Sequence, residues 1–277
     1  MIKNSLIIPA YNEYENLLSM LSDIEKEFID EIKKKELEVI IINDGSTDKT
    51  KDFLNKDIKD KRAKIKIIHL IKNQGKSFAL EISFNYVEGD NIVIIDADQQ
   101  YSIKDAKKLL NLLEKNNCDL INGRREDRKD DKLTKLTSKI YNFIIRKTLN
   151  VECKDFFSGL KVFKAKILKT INFRDLCRFI ILLTHVQGFK IIEEPINHRQ
   201  RTYGVSRYNL ISRIKLSIND FITIFFLRLI NKYKIYILNI YLRFSLAIYL
   251  IILALSLIND ETFNYLNFVN DKILIFL

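Results

Sequence analysis

Asp96-Ala97-Asp98 closes the apolar run Ile92-Val93-Ile94-Ile95, which sets two carboxylates one residue apart at the end of a strand. Hard divalent cations take oxygen ligands, and Mg²⁺ commonly uses one or two carboxylates while substrate phosphates complete its shell. The chemistry this spacing suits is a metal-held diphosphate. Gln100 adds a neutral oxygen beside Asp98. The competing reading makes Asp96 a cap for a helix starting near Ser102 and Asp98 a solvated turn residue, and an isolated D-x-D does not decide between them. A further carboxylate, Asp44, follows the run Val39-Ile40-Ile41-Ile42, where it could accept a hydrogen bond from the N3–H of uracil or the N1/N2 donors of guanine. Its alternative is a turn, Asn43-Asp44-Gly45-Ser46, leading to a helix capped by Asp48. Arg124 follows Asp119-Leu120-Ile121, and its guanidinium fork suits phosphate oxygens. Arg125 and Lys129 read instead as a solvated basic loop balanced by Glu126, Asp127, Asp130 and Asp131.

These groups need a frame that brings strand ends together. Ser5–Ile8, Val39–Ile42, Ile65–Ile68 and Ile92–Ile95 are short β-branched runs, and 15–35, 48–59, 76–87 and 102–116 carry helical periodicity between them. Near-continuous apolar runs of this length suit strands buried on both faces of a parallel sheet. The alternation predicts an α/β fold with a doubly wound, mainly parallel sheet, whose ligand lies outside the carboxyl ends of the strands. Pro9-Ala10-Tyr11-Asn12-Glu13, Asn43 to Asp48 and Asp96 to Gln100 fall at those ends and should converge on one crevice.

Composition narrows the class. The 277 residues include only seven Gly and two Pro, and no linker-like stretch divides the soluble part. Cys118, Cys153 and Cys177 show no metal spacing; an odd count suits a reducing compartment, and all three read as buried apolar residues. The apolar run Leu6-Ile7-Ile8 ends at Pro9, short of a signal peptide's core, so catalysis is expected to face the cytoplasm. Net charge is +11, concentrated in 124–139 and 199–234 beside apolar sequence. No nucleic-acid-binding motif accompanies it, which favours anionic lipid or substrate over nucleic acid.

The strand-end segments together resemble the nucleotide-sugar signature of family 2 glycosyltransferases with a GT-A fold. Asn122-Gly123-Arg124, Ser138-x-x-x-Asn142, Asp155 to Lys161 and His198 to Tyr208 resemble the polyprenyl-phosphate branch of that family, over about residues 5–230. The resemblance implies a GT-A sheet flanked by helices and followed by amphipathic and membrane helices. It implies that Pro9, Tyr11, Glu13, the Ile42 backbone and Asp44 hold the base, and that Asp96 and Ala97 contact the donor. It further implies that Asp96, Asp98 and Gln100 hold Mg²⁺ or Mn²⁺, that Arg201 and Arg207 grip the diphosphate, and that Arg124, Ser138 and Lys135 meet the acceptor phosphate. Asp98 and Arg124 are the residues expected to be catalytic. Lys135 is the candidate replacement for an Arg that many relatives carry where this chain has Thr134. Asp155 reads equally as a sugar or side-chain contact and as a buried structural acid, His198 as a packed histidine, and Gln99 as a solvated turn residue.

The implied reaction moves a sugar from a UDP- or GDP-sugar to a polyprenyl phosphate, with inversion. Such a lipid acceptor makes a demand on the carboxyl end. Leu210, Ile214, Ile218, Phe221, Phe225 and Leu229 recur at helical spacing opposite Arg213, Lys215 and Asn219, as an interfacial amphipathic helix requires. Residues 235–258 follow, interrupted by Arg243, and a second apolar stretch runs from 263 to 277. The expected organisation is a catalytic domain at 1–209, juxtamembrane helices at 210–234 and a membrane-associated tail at 235–277 with one or two helices. A glycan-directed family 2 transferase and a non-enzymatic membrane adaptor are the alternatives. Oligomeric state is left open.

Overall fold

The computed structural model describes residues 1–56, 63–126, 132–173 and 176–200. The described strands are β1 (Asn4–Ala10), β2 (Leu37–Asn43), β3 (Lys64–His69), β4 (Asn91–Ile94), β5 (Leu120–Glu126), β6 (Lys161–Lys164) and β7 (Ile191–Asn197). The helices are α1 (Tyr14–Glu27), α2 (Ile29–Lys33), α3 (Thr50–Lys56), α4 (Lys76–Phe84), α5 (Ile103–Lys115), α6 (Lys132–Leu149), α7 (Lys166–Thr170) and α8 (Ile180–Val186). The strands form one sheet in the order β3-β2-β1-β4-β6-β5-β7. Strand β1 pairs in parallel with β2 and β4, β2 with β3, and β5 with β7, while β6 runs antiparallel to both β4 and β5. Except for β6, then, the described strands end at the same edge. The strand order reverses at β1, where β2 lies on one side and β4 on the other, the switch point at which open α/β sheets place ligands.

The apolar runs explain the sheet. Leu6, Ile7 and Ile8 in β1 and Val39 to Ile42 in β2 are wholly buried, so both sheet faces are covered by helices. Each such side chain contributes about 1.5–3 kcal/mol of transfer free energy. Helix α1 places Leu17, Met20, Leu21 and Ile24 on that core at helical spacing, and α5 does the same with Ala106, Leu109, Leu110 and Leu113. The helix expected over 15–35 is interrupted at Phe28, whose backbone leaves the helical region at φ −106° and ψ 24°. Phe28 and Ile32 follow Ile24 at four-residue spacing and both reach the core across this break. Buried Glu38 in β2 is satisfied at the amino edge by the Ser5 hydroxyl at 2.5 Å and Lys66 at 2.7 Å, far from the carboxyl ends.

Among the described residues no helix is long and apolar enough to cross a membrane. The helices expected at 210–234 and 235–277, together with Arg201 and Arg207, lie outside the described residues.

Candidate active site

Three loops are laced together at the carboxyl ends of β1, β2 and β3. Asn12, in the left-handed region at φ 56°, donates its backbone N–H to the Ser46 hydroxyl at 2.9 Å. Its side-chain oxygen accepts from the Thr47 amide at 2.8 Å. Glu13 donates its amide to Thr50 Oγ1 at 3.0 Å, and its carboxylate accepts from Asn16 at 2.6 Å. Asn43 turns the β2 loop by accepting from the Ser46 amide at 3.0 Å. Asp44 then accepts from the Gln74 and Gly75 amides at 2.7 and 2.9 Å, one on each carboxylate oxygen, which ties the β2 loop to the segment after β3. Asp44 is buried, and one lone pair on each oxygen remains for a further donor. Gly45 must be glycine: it holds φ +67°, and a Cβ there would fall 2.6 Å from the Asn73 nitrogen. Asp48 accepts from the Thr50 amide at 3.0 Å, so it caps α3 as the turn reading expects.

The D-x-D turn follows β4. Ser102, not Asp96, caps α5, accepting from the Asp105 amide at 3.0 Å. Asp98 is buried and accepts from the Gln100 amide at 3.2 Å. Gln99 departs from the solvated role expected of it, because its side-chain amide donates to the Asn16 carbonyl at 3.0 Å and pins the turn to α1. Asp96 forms an ion pair with Lys76, the first residue of α4. Burial works against the Lys76 charge, yet Asp96, Tyr101 and Asp98 together hold its pKa above the usual lysine value. On the other side of Asp96 lies Gly159, where a Cβ would come 2.7 Å from the Asp96 Cγ and 2.7 Å from the Tyr101 ring. The Tyr101 hydroxyl accepts from the Gly159 amide at 2.8 Å, and burial raises its pKa. His198 packs edge-on to Tyr101 with centroids 5.6 Å apart, as a packed histidine should. Arg199 donates its amide to the Gln100 carbonyl at 2.9 Å, so the chain after β7 returns across this turn.

Strand β6 brings Lys161 to the same edge, opposite Ile94 of β4. Its ammonium donates to the Ser158 carbonyl. Burial above all, with repulsion from Lys76 and, less, Arg125 working against the attraction of Asp155 and Asp96, pushes its pKa down to about 7. Arg124 lies at the end of β5 with its guanidinium 2.9 Å from Glu126. Arg125 is not the solvated loop residue the sequence suggests: its guanidinium grips both oxygens of Asp155 at 2.7 Å, with the two side chains 12% and 7% exposed. Asp155 is therefore engaged by a basic side chain. Glu193 of β7 completes this network, accepting from Asn122 at 3.0 Å and from the Asp155 amide at 2.9 Å. Ser138 and Lys135 lie on α6, half-buried.

Lys76, Gly159, Tyr101 and Lys161 are the neighbours of Asp96 that the sequence reading did not single out. Lys76 had a usable signal, since 70–76 is also a strand end and obeys the rule that selected the other three loops. Among the described residues no three His, Cys, Asp or Glu side chains cluster to hold a metal.

The Glycosyl transferase family 2 model matches residues 5–171, which takes in the three laced loops, the D-x-D turn, Arg124 and Gly159. The chain belongs to glycosyl transferase family 2. The family 2 relatives it matches include undecaprenyl-phosphate 4-deoxy-4-formamido-L-arabinose transferases. One from Edwardsiella ictaluri is 26% identical over 215 residues, and one from Salmonella choleraesuis is 29% identical over 215 residues. These alignments cover 76% and 77% of this chain but only 65% of each relative, so the chain spans about two thirds of their length. Among solved structures, glucosyl-3-phosphoglycerate synthase from Mycobacterium tuberculosis, in complex with Mn²⁺, UDP and glucosyl-3-phosphoglycerate, aligns with a TM-score of 0.61 at 18% identity. That alignment covers 82% of this chain and 80% of the other. A mannosyltransferase from Pyrobaculum calidifontis, in complex with GDP-Man and Mn²⁺, aligns at 0.56 and 15% identity, over 83% of this chain and 69% of the other. At these identities the likeness concerns the fold, and it agrees with the α/β sheet read from the strand pattern and with the GT-A fold that the resemblance implies.

Proposed function

We propose that this chain transfers a sugar from a UDP- or GDP-sugar to a polyprenyl phosphate, with inversion at the anomeric carbon, at the cytoplasmic face of a membrane. The observation that supports this most is that the ends of β1, β2, β4 and β5 share one sheet edge, so the loops of Asp44, Asp96-Ala97-Asp98 and Arg124 open on the same side. The family 2 match and the named activity of the undecaprenyl-phosphate relatives support the same reading.

In this proposal Pro9, Tyr11, Glu13, the Ile42 backbone and Asp44 hold the base. Asp44 uses the lone pairs that the Gln74 and Gly75 amides leave open. Asp96, Asp98 and Gln100 fit a hard divalent cation, because all three offer oxygen and the missing Cβ of Gly159 leaves the Asp96 carboxylate its room. Mg²⁺ or Mn²⁺ bound there would stabilise the departing nucleoside diphosphate. Arg201 and Arg207 are proposed to grip the diphosphate. Arg124, Ser138 and Lys135 hold the acceptor phosphate, and Arg124 offsets the repulsion between the two anions as they are brought to attack distance. A phosphate monoester has a second pKa of about 6, so its oxygen attacks already ionised and needs no general base. The work of the chain is placement and charge compensation.

Incubating the purified protein with radiolabelled UDP- and GDP-sugars, Mn²⁺ and undecaprenyl phosphate, then extracting into organic solvent, tests this. Label should enter the organic phase with one of the two nucleotide classes. Donor hydrolysis or transfer to a glycan, with none to the lipid phosphate, would reassign the acceptor.

A further inference from the structure

Helix α6 presents two unlike faces. Asn142, Ile145 and Leu149 point inward and are buried, and the Tyr141 ring packs on Phe157 with centroids 5.4 Å apart. On the outer face Leu136, Ile140 and Phe143 are 56%, 52% and 58% exposed. At 100° per residue these three and Lys147 fall in one narrow stripe, bordered along one edge by Lys139 and Arg146. The helix carries Lys132, Lys135, Lys139, Arg146 and Lys147 and no acidic residue. Among the other described residues the exposed large apolar side chains are scattered: Met1, Leu18, Ile71 and Tyr86 belong to separate segments. Isolated exposed apolar side chains are ordinary; a contiguous apolar stripe edged by basic residues is the pattern of a helix lying in an anionic membrane surface.

We propose that the outer face of α6 is a membrane-docking surface, with Leu136, Ile140 and Phe143 inserted among acyl chains and Lys139, Arg146 and Lys147 on anionic headgroups. The charge selects this occupant. A second copy of this chain would set α6 against α6 and bring like charges together, whereas an anionic lipid surface compensates them. The docking rests in part on the proposed lipid acceptor, since a membrane-bound α6 would hold the catalytic domain at the surface where such a lipid lies. Its test needs no catalysis.

The full-length protein, reconstituted in mixed phosphatidylcholine and phosphatidylglycerol vesicles, is labelled with an environment-sensitive fluorophore at single cysteines replacing Leu136, Lys139, Ile140, Phe143 or Arg146. The native cysteines are buried, which leaves the introduced thiol as the reactive one. Labels at 136, 140 and 143 should shift to the blue and be quenched at least twofold more by chain-brominated lipid than labels at 139 and 146. Water-like emission at all positions would overturn the proposal. So would a blue shift that brominated lipid does not quench and that grows with protein concentration, the signature of a second copy. A fluorophore-free check cross-links the unlabelled wild type with a photoactivatable lipid: adducts should map to 136–147, and their absence there would also overturn it. Leu136→Ser/Ile140→Ser/Phe143→Ser should lose at least tenfold in transfer to vesicle-borne undecaprenyl phosphate yet keep transfer to a short, water-soluble prenyl phosphate. A wild type with no transferase activity would refute the proposed function while the quenching pattern still decides the docking.

Discussion

The Arg125–Asp155 pair lends itself to a quantitative test. Both side chains are nearly enclosed, at 12% and 7% exposure, and they are joined by two hydrogen bonds of 2.7 Å. Arg125→Met would leave the Asp155 carboxylate in that enclosure with the Arg125 amide at 3.2 Å as a remaining donor. Glu193 sits close by, accepting from the Asp155 amide, and adds repulsion. Removing one partner of a buried pair costs about 3–5 kcal/mol, while replacing both by apolar groups is often neutral. Each single variant, Arg125→Met or Asp155→Leu, should therefore lower the urea-unfolding free energy by about 3–5 kcal/mol, or Tm by roughly 6–20 °C at ~2–4 °C per kcal/mol. The double variant should recover most of this, for a coupling of at least ~2 kcal/mol. Because the pair clamps the end of β5 to the segment reaching Gly159, the singles should also lose transfer activity at temperatures where they remain folded. Additive effects below ~1 kcal/mol would show that the pair is solvent-screened, and the clamp would fail with it.

Asp98→Asn keeps the shape of a proposed metal ligand and removes its charge; transfer should fall roughly 10²–10³-fold with unchanged circular dichroism, and retained transfer would count against the metal assignment. Gly159→Ala pushes a methyl group against Asp96 and Tyr101. Overpacking costs about 1–3 kcal/mol, and the Mn²⁺ concentration needed for half-maximal transfer should rise; an unchanged requirement would detach Gly159 from the carboxylate. The pKa of Lys161 is about 7 when folded against an ordinary 10.5, so between those pH values the unfolded chain binds more protons and stability should rise with pH. With EDTA present, Lys161→Met should flatten that rise, measured as urea midpoints across the window; an unaltered slope would assign it to another group.

The parallel half of the sheet was legible because β1, β2 and β4 are buried runs, and β3 a half-buried β-branched one, punctuated by turn residues, and their pattern needs no distant information. The D-x-D turn and the Asp44 loop were legible for the same reason, each lying just past such a run. What the sequence could not carry is pairing between segments far apart in the chain. Arg125 and Asp155 are 30 residues apart; Arg125 alone reads as a solvated loop charge, and Asp155 alone leaves its partner open. Lys76 and Asp96 meet only once α4 has been laid against β1 and β2. Gln99 reads as solvated until α1, 83 residues earlier in sequence, offers its Asn16 carbonyl. The α6 stripe was present in the sequence as Leu136, Ile140 and Phe143, but its exposure follows only from seeing that Asn142, Ile145 and Leu149 occupy the inner face.

Reversal of β6 is the topological step that builds the candidate site. A parallel strand beside β4 would deliver its last residues to the carboxyl edge; an antiparallel one delivers its first, together with the loop before it. Lys161, Ser158 and Gly159 therefore arrive beside Asp96, and Asp155 arrives within reach of Arg125. The loop must approach the D-x-D carboxylate more closely than a side chain permits, which is why Gly159 stands at the contact. Its neighbour Lys161 is crowded by Lys76 and Arg125, and that repulsion helps hold its pKa near 7. An anion placed at this edge would relieve the same repulsion and raise that pKa, so binding of a nucleoside diphosphate near neutral pH should be accompanied by proton uptake. Calorimetry in buffers of different ionisation enthalpy measures that uptake directly, and Lys161→Met should abolish it.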